Sequence, residues 1–316
     1  MERETSERAK TAKTGKTAKE AGTVGFSPTQ HQRLAELGYV ESGLETLFSS
    51  AGDRDARFES LSQDLTHDTL ARLESLRVER HRPEVRLVES ELVDALVSAG
   101  FVEVVTPVII AKASLAKMGL TETHPLWRRV YWVDGDRCLR PMLAPNLYVM
   151  LSHLQRLWPS PVRIFEVGPC FRKESKGANH LSEFTMLNLV ELTSEPGDPE
   201  RLRELAELVM GRLGLDFHLA ATDSEVYGAT VDVEVGGIEV ASGVVGPHPL
   251  DAEWGIQGAW TGLGFGLERL AMLRTGATRV HAVGRSLAYL DGARLNVQRM
   301  RPAAPKRSEA DSGRTA

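Results

Sequence analysis

Two segments of the chain alternate in side-chain character, Thr230–Val235 and Ile238–Val245, and only Gly236 and Gly237 separate them. Two glycines between alternating segments signal a tight β-hairpin, whose turn needs positive φ at both central residues. Other strand-length segments are Phe101–Val105, Val162–Val167 and Glu183–Leu192. Strands joined by short connections favour an antiparallel sheet over repeated βαβ units. In Glu183–Leu192 the residues Phe184, Met186, Asn188 and Val190 share one face, because side chains alternate with period two. Helices surround these strands. Residues 27–80 read as helical, and Val85, Val88, Leu92, Ala95 and Leu96 keep helical spacing up to Gly100, which suits the first position past a helix end. The strand Phe101–Val105 follows at once and Pro107 closes it. Asp198 and Pro199 open another helix as N-cap and first residue, and it runs through Leu202, Leu205, Val209 and Leu213. The expected class is α+β, an antiparallel sheet flanked by helices.

With 316 residues the chain has room for about two domains and a sizeable core. Charged residues are 26% of the total and the net charge is −5, so any contact with nucleic acid must be a local basic patch. Residues 1–26 and 299–316 hold too few apolar side chains to repay their ordering and are expected to be disordered tails. Between them, 27–83 is expected to be a helical extension and 84–298 the main folded body. No apolar run approaches the ~18 residues of a membrane span, and the N-terminus offers no signal-peptide core. Cys138 and Cys170 lack paired or zinc-binding spacing and read as reduced cysteines of a cytoplasmic protein.

Four groups of residues carry chemistry. Gly262, Gly264 and Gly266 precede a helix containing Arg269. Their spacing departs from the dinucleotide fingerprint, and no P-loop is present. They are either a close-packed contact or a place where a flat or phosphate-bearing ligand approaches the backbone. Arg172 and Glu174 would share a face beyond Val162–Val167, with Lys173, Lys176 and His180 close behind. An arginine fork suits a phosphate, and Phe184 would cover a base. Glu239 and Ser242 are oxygen donors suited to Mg²⁺, but three residues apart they share a strand face only if a bulge intervenes. Asn188 stands in an apolar row, where it either ties down backbone or reads a polar group on a mostly apolar substrate.

In order, these pieces resemble the three signature motifs of class II aminoacyl-tRNA synthetases. The helix–strand–proline unit ending at Pro107 resembles the first, FRKES (171–175) with Phe184 the second, and GFGLER (264–269) the third. The stretches LRPMLAPNLY (139–148), IFEVGPCFRKES (164–175) and HLSEFTMLNL (180–189) are similar, more narrowly, to the catalytic domains of the pyrrolysyl-tRNA synthetase family, in the branch without an N-terminal tRNA-binding domain.

The resemblance implies a class II catalytic domain with ATP and Mg²⁺ as cofactors. Arg172, Arg269 and Glu239 would be catalytic. ATP would be bound by Arg172, Glu174, His180, Leu181, Phe184, Glu239, Ser242 and Arg269, with Phe184 and Arg269 on the two faces of adenine and with Glu239 and Ser242 at the metal. The amino-acid pocket would be lined by Ala144, Leu147, Tyr148, Leu151, Met186, Val190 and Trp260, floored by Gly262 and Gly264, and closed by Tyr227 on a lid. Asn188 would hold the side-chain amide of the substrate. Val190 and the sequence ValAlaSerGly (240–243) depart from the family's usual residues and touch pocket size.

The implied partners are pyrrolysine or bulky lysine derivatives, tRNA(Pyl) and a second copy of the chain, with no membrane. Arg72, Arg77, Arg80, Arg82 and Arg86 are the candidate tRNA contacts, with a solvated helical face as the alternative. A synthetase for another amino acid and a silent tRNA-binding module are the competing readings. An apolar pocket with one amide disfavours a phosphorylated substrate, and intact Arg172, Glu174, Glu239 and Arg269 disfavour a silent module.

Overall fold

The computed structural model describes residues 24–39, 47–173, 180–195 and 198–297. The chain divides into two compact units, Met1–Leu65 and Thr66–Ala316, with the boundary inside a long helix. Helix α1 (Pro28–Glu36) opens with a reciprocal cap: Ser27 Oγ accepts from Gln30 N, and Gln30 Oε1 accepts from Ser27 N at 2.9 Å. The helical stretch expected over 27–80 is therefore broken. It ends at Gly38, whose φ is 91°, and resumes as α2 (Ala51–Glu79).

In the second unit α3 (Glu84–Ser98) ends where expected, with Gly100 at φ 84°. The strand after it is shorter than the sequence suggests, β1 (Val102–Glu103), and residues 104 to 108 run on irregularly towards β2 (Ile109–Ala111). Next come α4 (Lys112–Lys117), a 3-10 turn at Pro125–Arg129, β3 (Arg137–Leu139) and α5 (Ala144–Leu154). Strands β4 (Val162–Phe171) and β5 (Glu183–Thr193) pair antiparallel as the two expected strands, β4 running on beyond the expected end at Val167, and residues 174–179 between them lie outside the described residues. Helix α6 (Pro199–Leu213) is capped by Asp198, whose carboxylate accepts from Glu200 N at 2.9 Å. Then follow β6 (His218–Ser224), β7 (Gly228–Val235), β8 (Ile238–Val245), α7 (Asp251–Trp254), β9 (Ala259–Gly266), α8 (Leu267–Thr275), α9 (Val280–Val283) and a small hairpin of β10 (Tyr289–Leu290) and β11 (Ala293–Arg294). Gly236 and Gly237 turn β7 into β8 with φ of 57° and 80°.

The seven-stranded sheet has the order β1-β4-β5-β9-β8-β7-β6. Every pairing in it is antiparallel except that of β1 with β4, so the sheet is mixed at one edge. That parallel pair follows from the long crossover between its two strands, residues 104–161, which includes α4 and α5 and returns the chain before β4 begins. One face packs against α3, α6, α8 and α9 through Leu92, Leu96, Leu205, Val209, Leu270 and Val280. The other face packs against α4 and α5 through Leu115, Leu147 and Leu151. Strand alternation divides β5 accordingly: Leu187 and Leu189 face the first layer, while Phe184, Met186 and Val190 face the second.

A buried ion pair locks the segment after β1 to β4. Arg140 and Glu166 are each 1% exposed, and their charged atoms are 2.7 Å apart. Thr106 Oγ1 donates to Glu166 at 2.7 Å, and Arg140 Nε donates to the Pro169 carbonyl. Gly168 leaves room for the guanidinium: a Cβ there would stand 2.1 Å from Arg140 Nη2. Cys138 and Cys170 are free and buried, and burial pushes their thiols up to about 11 and about 12. Among the described residues no helix is long and apolar enough to cross a membrane.

Candidate active site

The site lies on the sheet face that carries α5. Strand β9 contributes Gly262, Gly264 and Gly266 to this face, while Leu263 and Phe265 turn into the opposite core. The glycine run is thus a central strand with one bare face, and no phosphate-binding turn. One row across the sheet reads Asn188, Gly264, Ser242 and Asp232. The next reads Val190, Gly262 and Val244. Bare backbone in the middle of each row makes a trough.

Helix α5 roofs the trough at one end. Ala144, Leu147, Tyr148 and Leu151 fall at positions i, i+3, i+4 and i+7, one face of a helix. With Asn188, Val190, Tyr227, Val244, Trp260, Gly262 and Gly264 they line a cavity that opens on one side to solvent. Its walls are apolar and aromatic; its polar groups are the Asn188 amide, two phenols and the Ser242 hydroxyl. Of the expected pocket residues, Met186 alone lies outside this cavity, in the cleft that continues from it.

That cleft shares Ala144, Asn188, Tyr227, Ser242, Val244 and Gly264 with the cavity, so the two form one groove. Arg172, His180, Leu181, Phe184, Glu239, Ser242 and Arg269 all line it. Glu174 lies outside the described residues. Strand β4 ends at Phe171, so Arg172 sits just past the strand and not on its face. Its Nε donates to the Pro141 carbonyl at 2.8 Å, and its guanidinium lies 5.3 Å over the Phe184 ring. Arg269 reaches Glu239, donating to its carbonyl at 2.8 Å and pairing with its carboxylate at 3.2 Å.

The bulge that Glu239 and Ser242 require is present. Val233 pairs with Ala241 but Glu234 pairs with Glu239, which leaves Val240 as an extra residue. Val240 and Ala241 both pack into the core, and Glu239 and Ser242 both reach the cleft. With Asp232 beside Ser242, these are hard oxygen donors. Among the described residues no group of three or more His, Cys, Asp or Glu side chains forms a metal cage. Mg²⁺ needs only one or two protein carboxylates when water and phosphate fill the rest, so the donor set fits it.

Several cleft residues lie outside the expected set. Glu268 accepts the Thr185 N–H at 2.9 Å and pairs with Arg285 at 3.3 Å, and burial raises its pKa. Asp232 and Thr230 line the cleft from β7. The turn between β6 and β7 carries Tyr227 over the cavity, and two histidines hold it. His124 Nε2 bonds the Glu225 carbonyl at 2.8 Å, and His248 Nε2 bonds the Tyr227 carbonyl at 3.0 Å. Burial pushes the Tyr148 and Tyr227 phenols well above their ordinary range, so both stay protonated.

The arginines Arg72, Arg77, Arg80, Arg82 and Arg86 are all exposed. Arg72 pairs with Asp291 at 3.5 Å, Arg77 with Glu74 and Arg86 with Glu89, so three of the five already face a carboxylate.

The family model for the tRNA synthetases class II core domain (F) matches residues 71–290. The chain belongs to that family. The structure is similar to that of pyrrolysyl-tRNA synthetase from Desulfitobacterium hafniense, with a TM-score of 0.79 and 50% identity over 86% of this chain and 98% of that one. A second structure of the D. hafniense protein PylSc, a pyrrolysyl-tRNA synthetase, gives 0.79 and 48% over 89% and 99%. At that identity and coverage, the class II domain is of the pyrrolysyl-tRNA synthetase type. Among curated proteins, O-phosphoserine–tRNA(Cys) ligases are similar: 27% identity with that of Methanothrix thermoacetophila and 26% with that of Archaeoglobus fulgidus, over 57% and 50% of this chain. The chain spans about a third of the length of these curated relatives, 36% and 33%.

Proposed function

We propose that the groove joins pyrrolysine, or a similarly bulky Nε-acyl lysine, to ATP as an aminoacyl-adenylate and passes it to the amber-decoding tRNA(Pyl). The observation that carries this reading is a deep apolar cavity with one amide, Asn188, opening directly into a cleft that holds Arg172 and Arg269. A long substituted lysine suits such a cavity and offers Asn188 an amide; a phosphorylated side chain would meet no arginine among the described residues that line it.

The chemistry follows from charge. The substrate carboxylate attacks the α-phosphorus of ATP, an oxygen–phosphorus bond forms, and diphosphate leaves. Negative charge gathers on the phosphoryl oxygens. Arg172, held by the Pro141 carbonyl, and Arg269, held by Glu239, are fixed cations aimed at that charge, and no nucleophilic side chain is required. Mg²⁺, when bound at Glu239 and Ser242, would neutralise phosphate charge. One face of Phe184 is covered by Arg172, so an adenine stacked on this ring takes the other. His180 and Leu181 flank the nucleotide end of the cleft. In the second step a terminal ribose hydroxyl of the tRNA displaces AMP.

The helical extension 27–83 and the five arginines between 72 and 86 are proposed to meet the tRNA, the chain to act as a homodimer, and its location to be the cytoplasm. Pyrophosphate exchange with Mg·ATP and a panel of amino acids tests the reading. Exchange with pyrrolysine and a bulky Nε-acyl lysine, and with none of the standard amino acids, is expected. Exchange with O-phosphoserine or a standard amino acid alone would overturn the substrate.

A further inference from the structure

Helix α3 begins after Pro83, which has no side-chain group to cap it. The carboxylate of Asp291 does so instead, from 207 positions further on: its Oδ1 accepts the Glu84 N–H at 2.9 Å. Its Oδ2 accepts from His81 Nε2 at 2.7 Å and lies 3.5 Å from Arg72 Nη2 on α2. The Asp291 side chain is 3% exposed. One buried carboxylate thus joins the end of α2, the linker and the first turn of α3. Asp291 and Gly292 turn β10 into β11 with φ of 43° and 89°. An Asp-Gly turn accounts for that backbone, but not for a carboxylate buried at its tip.

Helix α2 ends in a left-handed residue, Arg80 with φ 53°, and the His81 N–H returns to the Leu76 carbonyl at 3.1 Å. Glycine is the usual residue there, and arginine holds that conformation against a steric cost. Among the described residues Arg80 and Asp291 are the two non-glycine residues with positive φ, and they stand on the two sides of this joint. The joined parts differ in how firmly the rest of the molecule holds them. Helix α3 buries Val88, Leu92 and Leu96 and is tied to α8 by Arg274, which pairs with Glu84 and Glu91. The hairpin is tied to α9 by the Gly292 N–H, which donates to the Ala282 carbonyl at 2.8 Å. Along α2 only Thr69 and Leu76 are buried. Little apolar packing sets its direction, so the polar hold of Asp291 on Arg72 and His81 does. Arg77, Arg80 and Arg82 are carried by that helix end and linker.

We propose that Asp291 is a positioning residue for tRNA: by clamping Arg72 and His81 to the start of α3, it fixes the arginine row in the arrangement that the tRNA backbone meets. This rests on the proposed tRNA face. Without the clamp, tRNA must order the joint as it binds, and affinity falls. Charge alone predicts the reverse, because removing a carboxylate beside an arginine row favours an anion. The test measures tRNA(Pyl) binding by the full chain over a range of salt, with pyrophosphate exchange alongside. Asp291→Asn keeps a residue that tolerates positive φ and an oxygen for the Glu84 N–H, and loses the charge. Its Kd should rise about tenfold, the worth of one charge-assisted hydrogen bond, with the native salt slope and with exchange within about twofold of native. Arg77→Ala with Arg82→Ala should also weaken binding but flatten the slope, because phosphate contacts are lost. His81→Phe leaves the carboxylate its other two partners and should weaken binding as Asp291→Asn does, which keeps the test decisive if that variant does not fold. Native or tighter binding by a folded Asp291→Asn or by His81→Phe, or a loss of exchange equal to the loss of binding, would overturn the inference while the arginine pair still marks the tRNA face. Binding unmoved in the arginine pair would overturn the face and the inference with it.

Discussion

Gly264 and Gly243 sit on neighbouring strands but on opposite faces of the sheet, and replacing each by alanine should separate function from stability. A Cβ on Gly264 would enter the trough, 3.2 Å from Met186 Cε and 3.6 Å from Asn188 Nδ2. The nearer atom is the free end of a flexible side chain and can move, so the fold should lose little. The methyl group does, however, occupy cavity space beside the amide that reads the substrate. Overpacking costs about 1–3 kcal/mol, so KM for the amino acid should rise roughly 5- to 150-fold while KM for ATP holds. A Cβ on Gly243 would instead lie 2.8 Å from Leu202 Cδ1 and 3.2 Å from Leu263 Cδ2, both in the close-packed core. The same 1–3 kcal/mol then falls on folding, lowering Tm by roughly 2–12 °C with KM nearly unchanged. Thermal unfolding and pyrophosphate exchange on both variants decide it. A Gly264→Ala protein with native KM, or one that loses its stability instead, would refute the placement of the amino acid over β9.

Asn188→Ala should raise KM for the Nε-acyl lysine by about 5- to 150-fold, the cost of one buried hydrogen bond, and leave KM for ATP within about twofold; equal losses for both substrates would contradict its role. Arg140→Met leaves Glu166 buried without its cation and should cost about 3–5 kcal/mol in denaturant unfolding, much of it restored by adding Glu166→Leu. Cys138 and Cys170, buried and with raised thiol pKa, should not react with a thiol reagent at pH 8 in the native protein and should both react in denaturant. Burial works against the Glu191 charge, but hydrogen bonds from Arg201 and Arg163 outweigh it and lower its pKa. The stability it contributes is present above the ordinary carboxylate value and is lost as pH falls below that value and through the lowered native one, and Glu191→Gln should flatten that acid limb of the unfolding curve.

Local chemistry made much of the fold legible in the sequence. Gly236-Gly237, the Asp198-Pro199 cap, the Gly100 helix end and the alternation in β5 each act within a few residues, and each is found in place. The glycine run could not be read as a strand so easily. Its period-two pattern is there, but glycine carries no strand preference, and only the neighbours β5 and β8 make it one. The β8 bulge likewise exists because β7 pairs with it out of step. The same limit governs the site. Residues carried by a motif, such as Arg172 and Arg269, are visible from spacing; His124 and His248 are not, because each gains its meaning from a partner brought close only by the fold.

The central claim is that one groove both activates a bulky lysine derivative and delivers it to a tRNA. Acylation of tRNA(Pyl) by the full chain, given Mg·ATP and pyrrolysine and read as the fraction of tRNA whose 3′ end carries the amino acid, tests it most directly. Charging that depends on ATP, is abolished in Arg172→Ala and fails with every standard amino acid is the expected result. Charging with a standard amino acid or O-phosphoserine in place of pyrrolysine, or none from a folded protein, would contradict it.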